Sequence, residues 1–165
     1  MSETPLTRSA RSHDWLALKT IRLEALRDTP DAYGSSLEAA LRFPDDHWRA
    51  MTAQQPYFLV ERAGQVVGMT AGGFNDAHAG EHWLFAMYVT PSARGGLVAM
   101  ALVDEVVAWA RADGASALYL DVTTTLVRAR AFYQKAGFVP TGERRVMDRD
   151  RSIELLRLRR DLVGV

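Results

Sequence analysis

Between Glu81 and Val122 the chain runs strand, loop, long helix, apolar strand. This order constrains the fold more than any other feature of the sequence. Glu81 to Thr90 is rich in aromatic and β-branched residues and ends at Pro91. Ser92 to Gly96 is a loop of small residues. The helix after it, to about Asp113, carries Val98, Leu102, Val106 and Ala110 four apart, with Ala99, Val103 and Val107 as a neighbouring row. Gly114 suits its stop. Ala117 to Val122 reads as an apolar strand of the buried kind. A strand, a helix and a second strand in one sheet demand a parallel pair joined by a right-handed crossover.

The rest of the chain completes an α/β pattern. Residues 1–12 are polar, with room for a short strand around Leu6. Trp15, Leu18, Ile21 and Ala25 recur at helical spacing, so a helix is predicted from Asp14, capped by Asp14 or Ser12, to about Asp28. Pro30 disfavours helix at Thr29. Asp31 to Ser36 is a loop by composition, Leu37 to Leu41 a second helical stretch, and Pro44 opens a third helix to about Ala53. After Pro56 the period changes. Tyr57 to Glu61 and Gln65 to Phe74 read as a hairpin about Ala63-Gly64-Gln65, and Asn75 to Gly80 is a polar turn into the Glu81 strand. Leu126 to Ala136 is helical, with Gly137 as its C-cap. Phe138 to Val146 and Ser152 to Leu158 are strands around a charged turn, Asp148 to Arg151. The expected architecture is a mixed sheet, partly antiparallel with one parallel pair, covered by helices. Repeats, low-complexity tracts and dividing linkers are absent, so residues 1–165 read as one domain.

Composition narrows the function. Zero cysteines exclude a disulfide scaffold, thiolate metal sites and a cysteine nucleophile. The 20 basic and 20 acidic side chains cancel, which argues against a nucleic-acid partner. No apolar run approaches the roughly 20 residues that span a bilayer. Met1 to Trp15 has no apolar stretch of the secretory kind, and the expectation is a soluble cytoplasmic domain. The histidines His13, His47, His78 and His82 are scattered, and His78-x3-His82 has no helical periodicity behind it, so no metal site is expected.

The chemistry concentrates in Met87-Tyr88-Val89-Thr90-Pro91-Ser92-Ala93-Arg94-Gly95-Gly96-Leu97-Val98-Ala99. Free N–H groups at the start of the long helix make an anion site, strengthened by the helix dipole. Gly95 and Gly96 allow close approach of a phosphate, and Arg94 can add charge. The loop lacks the Gly-Lys-Ser/Thr of a Walker loop, and the hairpin-connected strands before it exclude a dinucleotide fingerprint. On composition alone it also reads as a strand–turn–helix link whose glycines serve only the turn.

This stretch resembles motif A of the GCN5-related N-acetyltransferases, in which Arg/Gln-x-x-Gly-x-Gly/Ala follows a strand. Leu120-Asp121-Val122-Thr123 and Ala129-Arg130-Ala131-Phe132-Tyr133-Gln134-Lys135-Ala136-Gly137-Phe138 resemble motif B of the same family. The resemblance covers about residues 57–146. It implies an N-acetyltransferase that uses acetyl-CoA as co-substrate and an amine as acceptor, by direct attack, with a small molecule as the default acceptor and room for a homodimer. It implies that the third strand and the Leu118 to Val122 strand part, that the pantetheine pairs there with the backbone of Met87, Tyr88 and Val89, and that the loop through Arg94, Gly95, Gly96, Leu97, Val98 and Ala99 grips the pyrophosphate. In the same reading the N–H of Val89 or its neighbour stabilises the oxyanion and Tyr133 protonates the leaving thiolate. Tyr133 has an alternative, a core aromatic with its hydroxyl on backbone.

Two positions depart from the family pattern. Leu97 stands where glycine is usual, and Leu126 where a CoA-contacting asparagine is frequent. Both point towards weaker acetyl-CoA binding or a degenerate binding module. The general base has no carboxylate at the inner end of the strand. Glu81 or His82 nearer its start, and Glu38 between the first helices, are the candidates. Their alternatives are an exposed strand-edge pair and a solvated helix residue. Tyr33 belongs to the segment that shapes the acceptor pocket, and Asp121 reads as a tie for the next loop. The arginines of residues 144–160, interleaved with acids, read as a solvated strand face and hairpin tip.

Overall fold

A computed structural model describes residues 4–163. Seven strands form one sheet in the order β1-β2-β3-β4-β5-β7-β6. They are β1 (Thr7–Ser9), β2 (Tyr57–Arg62), β3 (Gln65–Asn75), β4 (His78–Val89), β5 (Ala117–Thr123), β6 (Val139–Met147) and β7 (Asp150–Asp161). The helices are α1 (Trp15–Asp28), α2 (Leu37–Leu41), α3 (Asp45–Gln54), α4 (Val98–Ala112) and α5 (Val127–Lys135). All pairings are antiparallel except β4 with β5, the parallel pair that the strand–helix–strand order demands.

Strand alternation sorts the core onto two faces. Phe58 and Val60 of β2 join Leu84, Val89, Leu118, Leu120 and the buried stripe of α4 on one face, with Tyr133 of α5 and Ala136 just after it. Tyr57 and Leu59 point the other way and meet Leu18, Ile21, Ala25 and Leu26 of α1 and Trp48 of α3. Close approach of α4 depends on glycine. A Cβ on Gly72 would stand 2.5 Å from the Trp109 ring.

Three expectations change. The β3–β4 hairpin is longer than its polar composition suggests, because both strands continue to Asn75 and His78 and leave a two-residue tip, where Ala77 N–H donates to Asn75 Oδ1. His82 is not at an exposed edge. β4 has neighbours on both sides, and His82 is buried with a 2.6 Å contact to Asp113. The C-terminal arginines are not uniformly solvated. Arg157 is buried, holds Asp121 and Glu143, and covers the Trp83 ring at 4.7 Å.

Candidate active site

β4 and β5 pair only at His82–Leu118 and Trp83–Tyr119. Beyond that point they part. The register against β3 shows why. Phe85 pairs with Ala71 but Tyr88 pairs with Met69, so β4 carries one extra residue. Ala86 takes φ +55°, the left-handed conformation of a bulge, and Phe85 and Ala86 both pack towards α1. Thr70 Oγ1 donates to Phe85 O (3.0 Å) and Tyr33 Oη donates to Met87 O (2.8 Å), which pin the bulge from both sides.

The bulge sets which backbone groups face the gap. Thr90 N–H donates to Val67 O at 2.9 Å. Antiparallel alternation then turns the Val89 N–H and C=O away from β3, into the opening, and the Tyr88 groups onto β3. Of the predicted trio, Val89 therefore offers a free N–H, Tyr88 does not, and the Met87 carbonyl is already taken by Tyr33. The Tyr88 side chain is buried, and its hydroxyl reaches Asp28 (3.2 Å).

A cleft of about 1380 Å³ occupies the gap. Its loop wall contains Arg94, Gly95, Gly96, Leu97 and Ala99. Gly95 has φ +78°, and open space lies where a side chain would stand. The first α4 hydrogen bond runs from Ala101 N–H to Leu97 O, which leaves the N–H groups of Val98, Ala99 and Met100 without helical acceptors. Gly95, Gly96 and Leu97 N–H likewise meet no backbone acceptor among the described residues. Six consecutive free donors suit a pyrophosphate. Leu97 takes an ordinary right-handed backbone (φ −91°, ψ −1°), so it keeps its N–H, and its side chain is half exposed. Leu126 also lines the cleft, but its N–H is spent on Thr123 O.

Arg94 corrects a simpler expectation. Its Nη2 pairs with Asp28 and its Nε donates to Val89 O (2.9 Å), which folds it over the Tyr88 ring rather than along the loop. Asp28 is held below the usual carboxylate range by that guanidinium. Arg128 and Lys135 of α5 also line the cleft.

Tyr133 is buried on the opposite wall, between Phe132 and Phe138, and its hydroxyl makes no hydrogen bond among the described residues. Burial, with Tyr33 nearby, pushes its pKa well above the ordinary phenol value. The hydroxyl stays protonated and uncommitted. The base candidates fare differently. Glu38 lies outside the cleft, exposed and paired with Arg42 at 2.7 Å, because it sits on the outer side of a five-residue helix. Glu81 also lies outside it, 3.6 Å from His78. The carboxylates that line the cleft are Asp121 and Asp148. Asp121 is engaged by Arg145 (2.9 Å) and Arg157 (3.2 Å) and joins β5 to β6 and β7, not to the next loop. Asp148, in the tip between β6 and β7, has no ion pair among the described residues. Composition marked that tip as a turn and gave no sign that it folds back over the site. Arg149 brings it there, donating to the carbonyls of Tyr33 and Pro30.

The model of the acetyltransferase (GNAT) family matches residues 18–138. This chain belongs to the GNAT acetyltransferase family. The family's co-substrate is acetyl-CoA, and the parted strands, free loop donors and open Gly95 fit it. An IAA acetyltransferase from Azospirillum brasilense is 35% identical over 86 residues, which span 52% of this chain and 56% of that protein, little more than half its length. The solved ribosomal-protein-alanine N-acetyltransferase from Brucella melitensis is 26% identical, with a TM-score of 0.74 over 95% of this chain and 99% of that one. yncA from Salmonella typhimurium, solved with its cofactor acetyl-CoA, shares the fold at 18% identity, with a TM-score of 0.79 over 99% of this chain and 96% of that one. No described helix is long and apolar enough to cross a membrane.

Proposed function

We propose that this protein transfers the acetyl group of acetyl-CoA to a primary amine of a small molecule by direct attack. The observation that carries this reading is that one cleft is lined both by Val89, whose N–H is turned off its own ladder, and by Tyr133, whose hydroxyl is uncommitted. Bound acetyl-CoA supplies an activated thioester. The Gly95 to Met100 N–H groups hold its pyrophosphate. The Val89 N–H points where negative charge develops on the carbonyl oxygen, and a fixed donor there costs no reorganisation during reaction. As the amine nitrogen bonds to the acetyl carbon and the carbon–sulfur bond breaks, Tyr133 gives its proton to the leaving sulfur. Asp148 takes the place of Glu38 and Glu81 as acceptor of the amine proton, since Asp121 is held by two guanidiniums. An Asp148→Asn variant with unchanged kcat removes that role.

Leu97 and Leu126 favour one competing reading, a module whose cofactor site has lapsed. Calorimetry separates the two. Acetyl-CoA binding at micromolar to low millimolar concentration supports transfer, and silence at millimolar ligand overturns it. A Leu97→Gly, Leu126→Asn double variant then tells a weakened site, which tightens, from one already sufficient, which does not.

A further inference from the structure

One guanidinium in the cleft is buried without a partner among the described residues. Arg22 lies on α1 one turn after Leu18 and one turn before Leu26, in the stripe that faces the sheet. Its Nη1 is buried and unbonded, and among the described residues no carboxylate pairs with its side chain. It covers the Tyr33 ring at 4.9 Å. The neighbouring hydroxyls are neutral, and neither is hydrogen-bonded to it. Tyr33 Oη is committed to Met87 O, and Tyr57 Oη accepts from Gln55 at 3.1 Å. Burial draws its pKa down, yet a guanidinium keeps its charge in proteins. Of the other cleft arginines, Arg94 pairs with Asp28 and Arg145 with Asp121, and Arg128 is exposed to solvent, so it needs no anion. A buried cation left without an anion is costly to keep, and it stands here on the wall of an open cleft.

Its place in the cleft tells which ligand it serves. Arg22 sits on the α1 face of the sheet, whereas the Gly95 to Leu97 loop leads into α4 on the other face. Tyr57, Trp83 and Phe85 line the same cleft and offer aromatic surface. A guanidinium presents a planar fork that matches a carboxylate. We infer that the acceptor is an amine that also carries a carboxylate, of the amino-acid class, held through the edge of Arg22 that lines the cleft, with its apolar part against Tyr57, Trp83 and Phe85. This rests on the acetyl-transfer reading of the same cleft and names its acceptor class.

The test compares matched pairs of acceptors with the full chain: phenylalanine with phenethylamine, leucine with isoamylamine, and β- and γ-amino acids with the corresponding alkylamines. The wild type is expected to show kcat/KM at least about 100-fold higher for the acids, the order lost when one partner of a desolvated ion pair is removed. Arg22→Met is expected to abolish the preference by raising the KM of the acids, to leave the amines and acetyl-CoA calorimetry unchanged, and not to lower the Tm, because it removes an unpaired charge. Arg22→Lys is expected to restore part of the preference. A wild type that prefers the amines, treats both alike, or binds acetyl-CoA yet acetylates no acid overturns the inference and leaves acetyl transfer standing. So does an Arg22→Met variant that keeps the preference. A wild type that does not bind acetyl-CoA overturns the transfer reading itself, and the inference with it.

Discussion

At the scale of single residues the protein spends its polar groups selectively. Tyr33 and Tyr133 are both buried tyrosines near the bulge, but Tyr33 is tied to the Met87 carbonyl and Tyr133 is free. Only the free one can donate a proton to a leaving group. Tyr133→Phe is expected to lower kcat by about 10²-fold or more with acetyl-CoA affinity unchanged, as single-turnover kinetics and calorimetry would record. Asp14 illustrates a structural charge. Two hydrogen bonds from Arg8 (both 2.8 Å) and one from the Arg11 N–H (2.7 Å) hold its pKa down to about 2. A depressed carboxylate stabilises the fold in full above its unfolded pKa near 4, and that stability drains away as pH falls through about 2. Asp14→Asn is expected to cost about 1–2 kcal/mol at neutral pH, discounted for the partly exposed Arg8, and to flatten the stability curve between about pH 4 and 2 in denaturant melts.

At the scale of elements the decisive feature is β4. Its aromatic and β-branched content made it legible as a strand, and Pro91 marked its end. The extra residue at Ala86 was not legible, because alanine carries no preference for φ +55° and the bulge is imposed by Thr70, Tyr33 and the register with β3. That is also why three consecutive residues looked equivalent in sequence although Tyr88 turns its N–H onto β3 and Val89 turns its own to the gap. α4 depends on β3 in a way that glycine did announce, though without a reason. Gly72→Ala would place a methyl against the Trp109 ring, and thermal melts are expected to register a loss of about 1–3 kcal/mol. Arg22 had a signal that composition hides, a charged residue in a row between Leu18 and Leu26. A row of that kind faces inward, so its one cation had to be buried.

At the scale of the whole molecule the site is assembled from both faces of the sheet and from remote parts of the chain. α4 and α5 bring the loop donors and Tyr133, α1 brings Arg22, and the β6–β7 tip brings Asp148. Arg149 reaches across to the carbonyls of Pro30 and Tyr33 and fastens the tip to the segment after α1. Arg149→Ala is expected to raise the acceptor KM several-fold with little change in acetyl-CoA affinity, and to speed amide hydrogen exchange in residues 30–36. An unchanged KM together with unchanged exchange would show that the tip is held by the strands alone.

The sequence by itself determined the order of elements, the single parallel crossover, the glycine-containing loop before α4 and the placement of Tyr133 on an inward helix face. These follow from periodicity, turn chemistry and local spacing, which act over a few residues. It did not show which carboxylate lines the cleft, because whether Glu38 or Asp148 reaches it depends on how distant elements pack. Tertiary structure alone decided that Arg94 folds back onto Asp28, that Asp121 is held by two arginines, and that Arg22 is left without an anion. Each is a question of pairing between charges far apart in the chain, and only the folded geometry says which charges meet.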